Sequence, residues 1–144
     1  MRRILVVAHK TLGGQHLLDE VARRIKGGGS QVHVLVPVNH PMGAFTEASV
    51  HSAAETVLAE GQRRIREIDR AGKTDVTGEV GDANPVYATQ VLKNRGEVFD
   101  EILVSTLPRG ASRWLLGDVP RKIGRVYPGV PVVHLVGEAE PVTA

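Results

Sequence analysis

Residues 105–118 read Ser-Thr-Leu-Pro-Arg-Gly-Ala-Ser-Arg-Trp-Leu-Leu-Gly-Asp and concentrate hydroxyls, two guanidinium groups and a carboxylate in one stretch. The apolar run Ile102-Leu103-Val104 before them predicts a strand, and Asp118-Val119-Pro120 at their end predicts the start of a helix. A loop from the carboxyl end of a strand into a helix presents free backbone N–H groups and the positive end of a helix dipole. That arrangement binds anions and phosphates. Arg109 and Arg113 supply forks suited to phosphate or carboxylate, and Lys10 is a third cation after the first apolar run. Asp118 works against such a site. As helix N-cap its carboxylate would accept the N–H bonds that a phosphate takes, adding about 0.5–2 kcal/mol to the fold. A phosphate charge ~4 Å from that carboxylate is repelled by about 1–4 kcal/mol, roughly a five- to thousand-fold loss of affinity.

Other chemistries find less support. Six histidines are present, but none forms an H-x-x-x-H pair or an H-E-x-x-H motif, and no metal site is expected. His33 and His134 fall within predicted strands and read as satisfied core or edge residues. His9, at the exit of the first strand, reads as a hydrogen-bonding or pH-sensitive group. Ser112 lacks a surrounding G-x-S-x-G. Gly13-Gly14 is not G-x-G-x-x-G, and no acidic cluster follows the first strand. Trp114, with Leu115 and Leu116, reads as a cap on the core. No positioned nucleophile–base pair is legible, so no enzyme is expected.

The elements that must position these residues follow from periodicity. Ile4–Ala8 is an unbroken apolar run, as in a strand buried on both faces, and Val32-His33-Val34-Leu35-Val36 reads as a second strand. Between them Leu17, Leu18, Val21, Ala22 and Ile25 recur at helical spacing up to Gly27-Gly28-Gly29. A long helix is predicted from about Phe45 to Ala71, with Val50, Ala53, Ala54, Val57, Gly61, Ile65 and Ile68 on one face. Its other face, with Arg63, Arg64, Glu67 and Arg70, reads as solvated. A strand at Asp75–Val80 precedes Asn84-Pro85, an N-cap followed by proline at the first helical position. That helix runs to about Gly96; strands follow at Glu101–Ser105 and Val130–Val136, with a frayed tail from Gly137. The fold class is therefore α/β: an open parallel five-stranded sheet of order 3-2-1-4-5 with helices on both faces, in a single domain over residues 1–144. In such sheets ligands sit beyond the carboxyl ends of the strands where the winding reverses, so His9, Lys10 and Thr11 are expected to face Ser105–Arg109.

Composition narrows the partners. Net charge is only +2 and aromatics are 3%, without the interleaved rings that stack bases, so nucleic acid is not expected. No apolar run reaches the ~20 residues of a membrane span. No signal peptide is legible and cysteine is absent, which points to a cytoplasmic protein.

The apolar first strand, the long second helix, the Gly81-Asp82-x-x-Pro85 turn and the strand–loop–helix–strand ending together resemble the universal stress protein family over nearly the whole chain. Members typically carry G-x2-G-x9-G-[ST] after the fourth strand, and in those that bind ATP this loop wraps the phosphates. Here Ser105-Thr106 stand at the strand exit, Pro108 replaces a motif glycine, Gly117 matches the last glycine and Asp118 replaces the Ser or Thr. Eight residues separate Pro108 from Gly117, one fewer than the motif has, and His9 replaces the aspartate that ends the first strand. Pro108 lacks an N–H and the freedom of glycine. The resemblance implies a site at Ala8, His9, Lys10, Pro37, Val38, Asn39, Ser105, Thr106, Arg109, Gly110, Arg113, Gly117 and Asp118, with ATP or AMP as the candidate ligand and none required. It implies a regulatory or protective homodimer with ATP binding weakened or lost, pairing through Val132, Val133, Leu135 and Val136 of the last strand. The alternatives are an adenine-nucleotide sensor whose phosphate site is rebuilt from Arg109 and Arg113, and, third, a nucleotide hydrolase or transferase.

Overall fold

Apolar runs without alternation need cover on both sides, and the chain supplies it. The computed structural model describes residues 2–9, 11–26, 29–38, 46–69, 72–107 and 118–137. In chain order these form β1 (Arg2–Val7), α1 (Gln15–Ile25), β2 (Ser30–Pro37), α2 (Glu47–Ile68), β3 (Asp75–Gly81), α3 (Pro85–Asn94), β4 (Glu101–Thr106), α4 (Val119–Val126) and β5 (Val132–Val136). The five strands make one sheet of order β3-β2-β1-β4-β5. All of its pairings are parallel, with Val7 beside both Leu35 and Val104, and Thr106 beside Val136. The order reverses between β1 and β4, where the fold class places its crevice.

Alternate residues feed two cores. Ile4, Val6, Val32, Val34 and Leu103 pack with Leu17 and Val21 of α1 and Ala54 and Ile65 of α2. Leu5, Val7, Leu35, Ile102 and Val104 pack on the opposite face with Ala88 and Leu92 of α3 and Ile123 of α4. Each such valine, leucine or isoleucine side chain, fully buried, contributes about 1.5–3 kcal/mol.

Boundaries shift where capping decides them. Thr46 caps α2 by accepting from the Ser49 N–H at 3.0 Å, so the helix begins later than its apolar pattern suggests. Asn84 accepts from Val86 and Tyr87, with Pro85 opening α3 as expected. Ala53, expected on the inner face of α2, is exposed, and Leu58 packs on the core instead. Gly137 is not part of a frayed tail: it is buried, and its N–H donates to the Thr106 carbonyl at 3.0 Å. Residues 138–144 lie outside the described residues.

Two contacts fix the turn between β1 and α1. Leu12, 1% exposed, lies where a Cβ on Gly61 of α2 would be. The Arg64 guanidinium donates to the Gly13 carbonyl at 2.8 Å, so this arginine anchors the turn rather than facing solvent alone. Replacing Gly61 by alanine forces a methyl into Leu12, which has no room to yield. The expected cost is about 1–3 kcal/mol of unfolding free energy, read from the denaturant midpoint at unchanged slope.

Candidate functional site

A parallel sheet aligns its strand ends, and here that edge gathers the described candidates. Ala8 and His9 follow β1, Pro37 closes β2 with Val38 beyond it, and Ser105 and Thr106 close β4. Ala8 donates its N–H to the Leu35 carbonyl at 3.2 Å, and Val38 donates to the Gly81 carbonyl at 3.0 Å. Lys10, Asn39, Arg109, Gly110, Arg113 and Gly117 lie outside the described residues, as do Pro108, Ser112 and Trp114.

The crevice is furnished by hydroxyls that the protein itself binds. Ser105 Oγ lies 2.6 Å from Thr11 Oγ1, and both residues are 1% exposed. The expected approach of Thr11 to Ser105 is therefore met. On its other side Ser105 Oγ lies 3.1 Å from Nε2 of His16, in the first turn of α1. The imidazole is seated between two glycines: a Cβ on Gly137 would collide with the ring, and one on Gly14 would lie 2.9 Å from its Nδ1. Thr106, at the same strand end, places Oγ1 2.7 Å from Nε2 of His134 on β5.

A serine hydroxyl next to an imidazole has the look of a nucleophile and its base. Sequence reading missed this pair, because nothing local links His16 to Ser105 or to Gly137. Yet Ser105 sits under the surface with Thr11 as its second partner, so its oxygen is enclosed, not presented. Burial holds His16 below the ordinary histidine pKa of 6.5, while Asp19 and Glu20 pull it partly back.

Asp118 corrects the sequence expectation. It does occupy the N-cap position of α4, but in the left-handed conformation (φ 54°, ψ 44°), and its side chain makes no capping bond. A cap side chain reaches the N2 or N3 N–H from an extended backbone; the left-handed turn aims it elsewhere. Pro120 also removes one donor from the first turn. The carboxylate lies 3.6 Å from the Arg121 guanidinium, both exposed, a pairing worth little. No group of three or more metal-ligating side chains occurs among the described residues.

Comparison with known proteins bears on the fold. No protein-family profile matches the chain, and no curated protein sequence does so. Solved structures do. A universal stress protein from Archaeoglobus fulgidus aligns with TM-score 0.62 at 15% identity over 93% of each chain. A universal stress protein in complex with cAMP aligns with TM-score 0.55 at 16% identity, over 93% of this chain and 96% of the other. UspA from Lactobacillus plantarum aligns with TM-score 0.55 at 16% identity, over 93% and 97%. The chain has a universal-stress-protein-like α/β fold.

Two predictions follow from this geometry. His16 is held below its unfolded pKa, so the unfolded chain takes up the proton first. The contribution of His16 to stability is then full above about pH 6.5 and is lost as the pH falls from there through the folded value. His16→Gln should flatten that part of the stability–pH curve, measured by chemical denaturation. At Asp118, glycine relieves a left-handed backbone that costs an L-residue about 1–2 kcal/mol and forfeits no cap, so Asp118→Gly should hold or raise the melting temperature. A capping carboxylate would make the same change lower it.

Proposed function

We propose that this chain is a non-catalytic regulatory or protective domain of the universal-stress-protein type, working in the cytoplasm as a homodimer, with adenine-nucleotide binding weak or lost. The observation that carries the reading is the engagement of both hydroxyls at the β4 exit, Ser105 by Thr11 and His16, and Thr106 by His134. A phosphate entering the crevice must compete with bonds already made, each worth about 0.5–1.5 kcal/mol net. Two departures in the loop sequence act in the same direction: Pro108 for glycine, and one residue fewer. Burial of Ser105 argues against turnover, since an enclosed oxygen meets no substrate.

Dimerisation is supported by the edge strand β5. Val132, Val133, Leu135 and Val136 carry no charge to block strand addition, and Val136 is 52% exposed. No helix among the described residues is long and apolar enough to cross a membrane.

One observation favours a second reading, an adenine-nucleotide sensor built on Arg109 and Arg113. Because Asp118 does not cap α4, the pole of that helix is not occupied by the chain's own carboxylate. A structural neighbour solved with cAMP shows that a protein of this fold type holds a nucleotide. Calorimetric titration with ATP, ADP and AMP, with and without magnesium, separates the two. The first reading expects no saturation below about 1 mM, which corresponds to roughly 4 kcal/mol of binding free energy. Micromolar affinity for any of the three selects the sensor, and nucleotide turnover would overturn both.

A further inference from the structure

Gly137 follows β5 with a buried backbone and no side chain of its own to cover it. The imidazole of His16 supplies the cover, filling the space where any other residue would place its Cβ. Through Nε2 the same ring holds Ser105 Oγ at 3.1 Å, and Ser105 Oγ lies 2.6 Å from Thr11 Oγ1. One flat ring thus bridges the chain after β5, the exit of β4 and the turn before α1. The Gly137 N–H in turn donates to the Thr106 carbonyl at 3.0 Å, tying the end of β5 to β4. The ring is only half-buried, so it has a way out to water.

We infer that His16 is a proton-operated latch: the neutral ring closes the end of β5 onto the crevice, and the charged ring leaves its seat, uncovering Gly137 and releasing Ser105. Two features of the seat oppose a charge. His16 is the second residue of α1, where the helix presents its positive pole and a cation is disfavoured. Burial also penalises the charged form, and it outweighs the pull of Asp19 and Glu20 in the opposite direction. Both carboxylates have other partners on α1. Asp19 accepts from Gln15 at 2.6 Å, and Glu20 accepts from Arg23 and Arg24 at 2.6 Å each. Toward the ring β4 presents the Ser105 hydroxyl, bonded in turn to that of Thr11. From α2, Arg64 reaches the Gly13 carbonyl at 2.8 Å and carries Glu60 behind it at 3.2 Å, so the cation is foremost. Thr106 and His134 pair on the opposite side of the sheet, for Val132 packs with α3 and α4 while Val133 and Leu135 pack with α1 and α2.

Histidine changes charge between about pH 8 and pH 5. Because the seat favours the neutral ring, closure is complete above about pH 6.5 and weakens as the pH falls from there toward the closed-state value. Each unit of that fall weakens it by up to about tenfold. Amide hydrogen exchange of the full chain, corrected for the intrinsic effect of pH, reads such opening at Gly137. Protection of the Gly137 amide should lie below that of Leu103 at the sheet centre, which marks a local opening. It should hold steady from about pH 8 to pH 6.5 and then drop by up to about tenfold per unit. His16→Gln should make it independent of pH. Gly137→Ala should evict the ring, so that the imidazole resonances of His16 titrate near the ordinary value of about 6.5 instead of below it. The inference is overturned by Gly137 protection that ignores pH, by a drop that persists in His16→Gln, or by Gly137 exchange that only matches Leu103. An unmoved His16 titration in Gly137→Ala overturns it as well. The latch needs neither a partner subunit nor a nucleotide, so its failure leaves the proposed function standing.

Discussion

The hydroxyl of Ser105, enclosed and held from two sides, is the constraint on which the rest of the crevice depends. Thr11 approaches it from the turn after β1 and His16 from the start of α1. The same imidazole rests against Gly137 at the end of β5. Residues 11–16, the β4 exit at Ser105 and Gly137 after β5 are distant in sequence and thus meet at the reversal of the sheet. A buried polar group of this kind is stable only when its partners are present, because an unpaired hydroxyl costs about 1–3 kcal/mol. The turn itself is braced from behind by Leu12 against Gly61 and by Arg64 on the Gly13 carbonyl. Packing on one face of the sheet therefore sets hydrogen bonding at its carboxyl edge.

This arrangement gives the crevice a different character from an open phosphate cradle. Donors that a ligand would recruit are spent within the protein at Ser105 and Thr106. The helix pole at α4 is weakened by a different route from the expected one. Its proline removes a donor, while the neighbouring aspartate sits in a left-handed turn and makes no capping bond. In the proposed reading, weak nucleotide binding would come from internal satisfaction of hydroxyls more than from repulsion by a carboxylate.

How much of this was legible depends on the range of the forces involved. The unbroken run Ile4–Val7 and the largely apolar run Val32–Val36 announce strands covered on both faces, and their alternation with helices dictates parallel order and the site of reversal. Asn84-Pro85 is a local signal and was read correctly. Asp118 was not, because aspartate suits both an N-cap and a left-handed turn, and the choice rests on backbone angles that composition does not encode. Arg64 looks like its neighbour Arg63 in sequence, yet Arg63 pairs with Glu60 and Glu67 on the surface while Arg64 reaches the Gly13 carbonyl. His16 carried no motif at all. Its meaning arises from Gly137, a residue whose missing side chain makes room for the ring only once β5 is in place.

The most direct test is an amide- and imidazole-resolved NMR titration of the full chain with magnesium-ATP, followed at Ser105, Thr106 and His16. If these hydroxyls are already committed within the protein, their resonances hold still, or drift without saturating, up to about 1 mM nucleotide. Saturable shifts at Ser105 and His16 at micromolar nucleotide would contradict the account, for the crevice would then open its bonds to a phosphate at little cost.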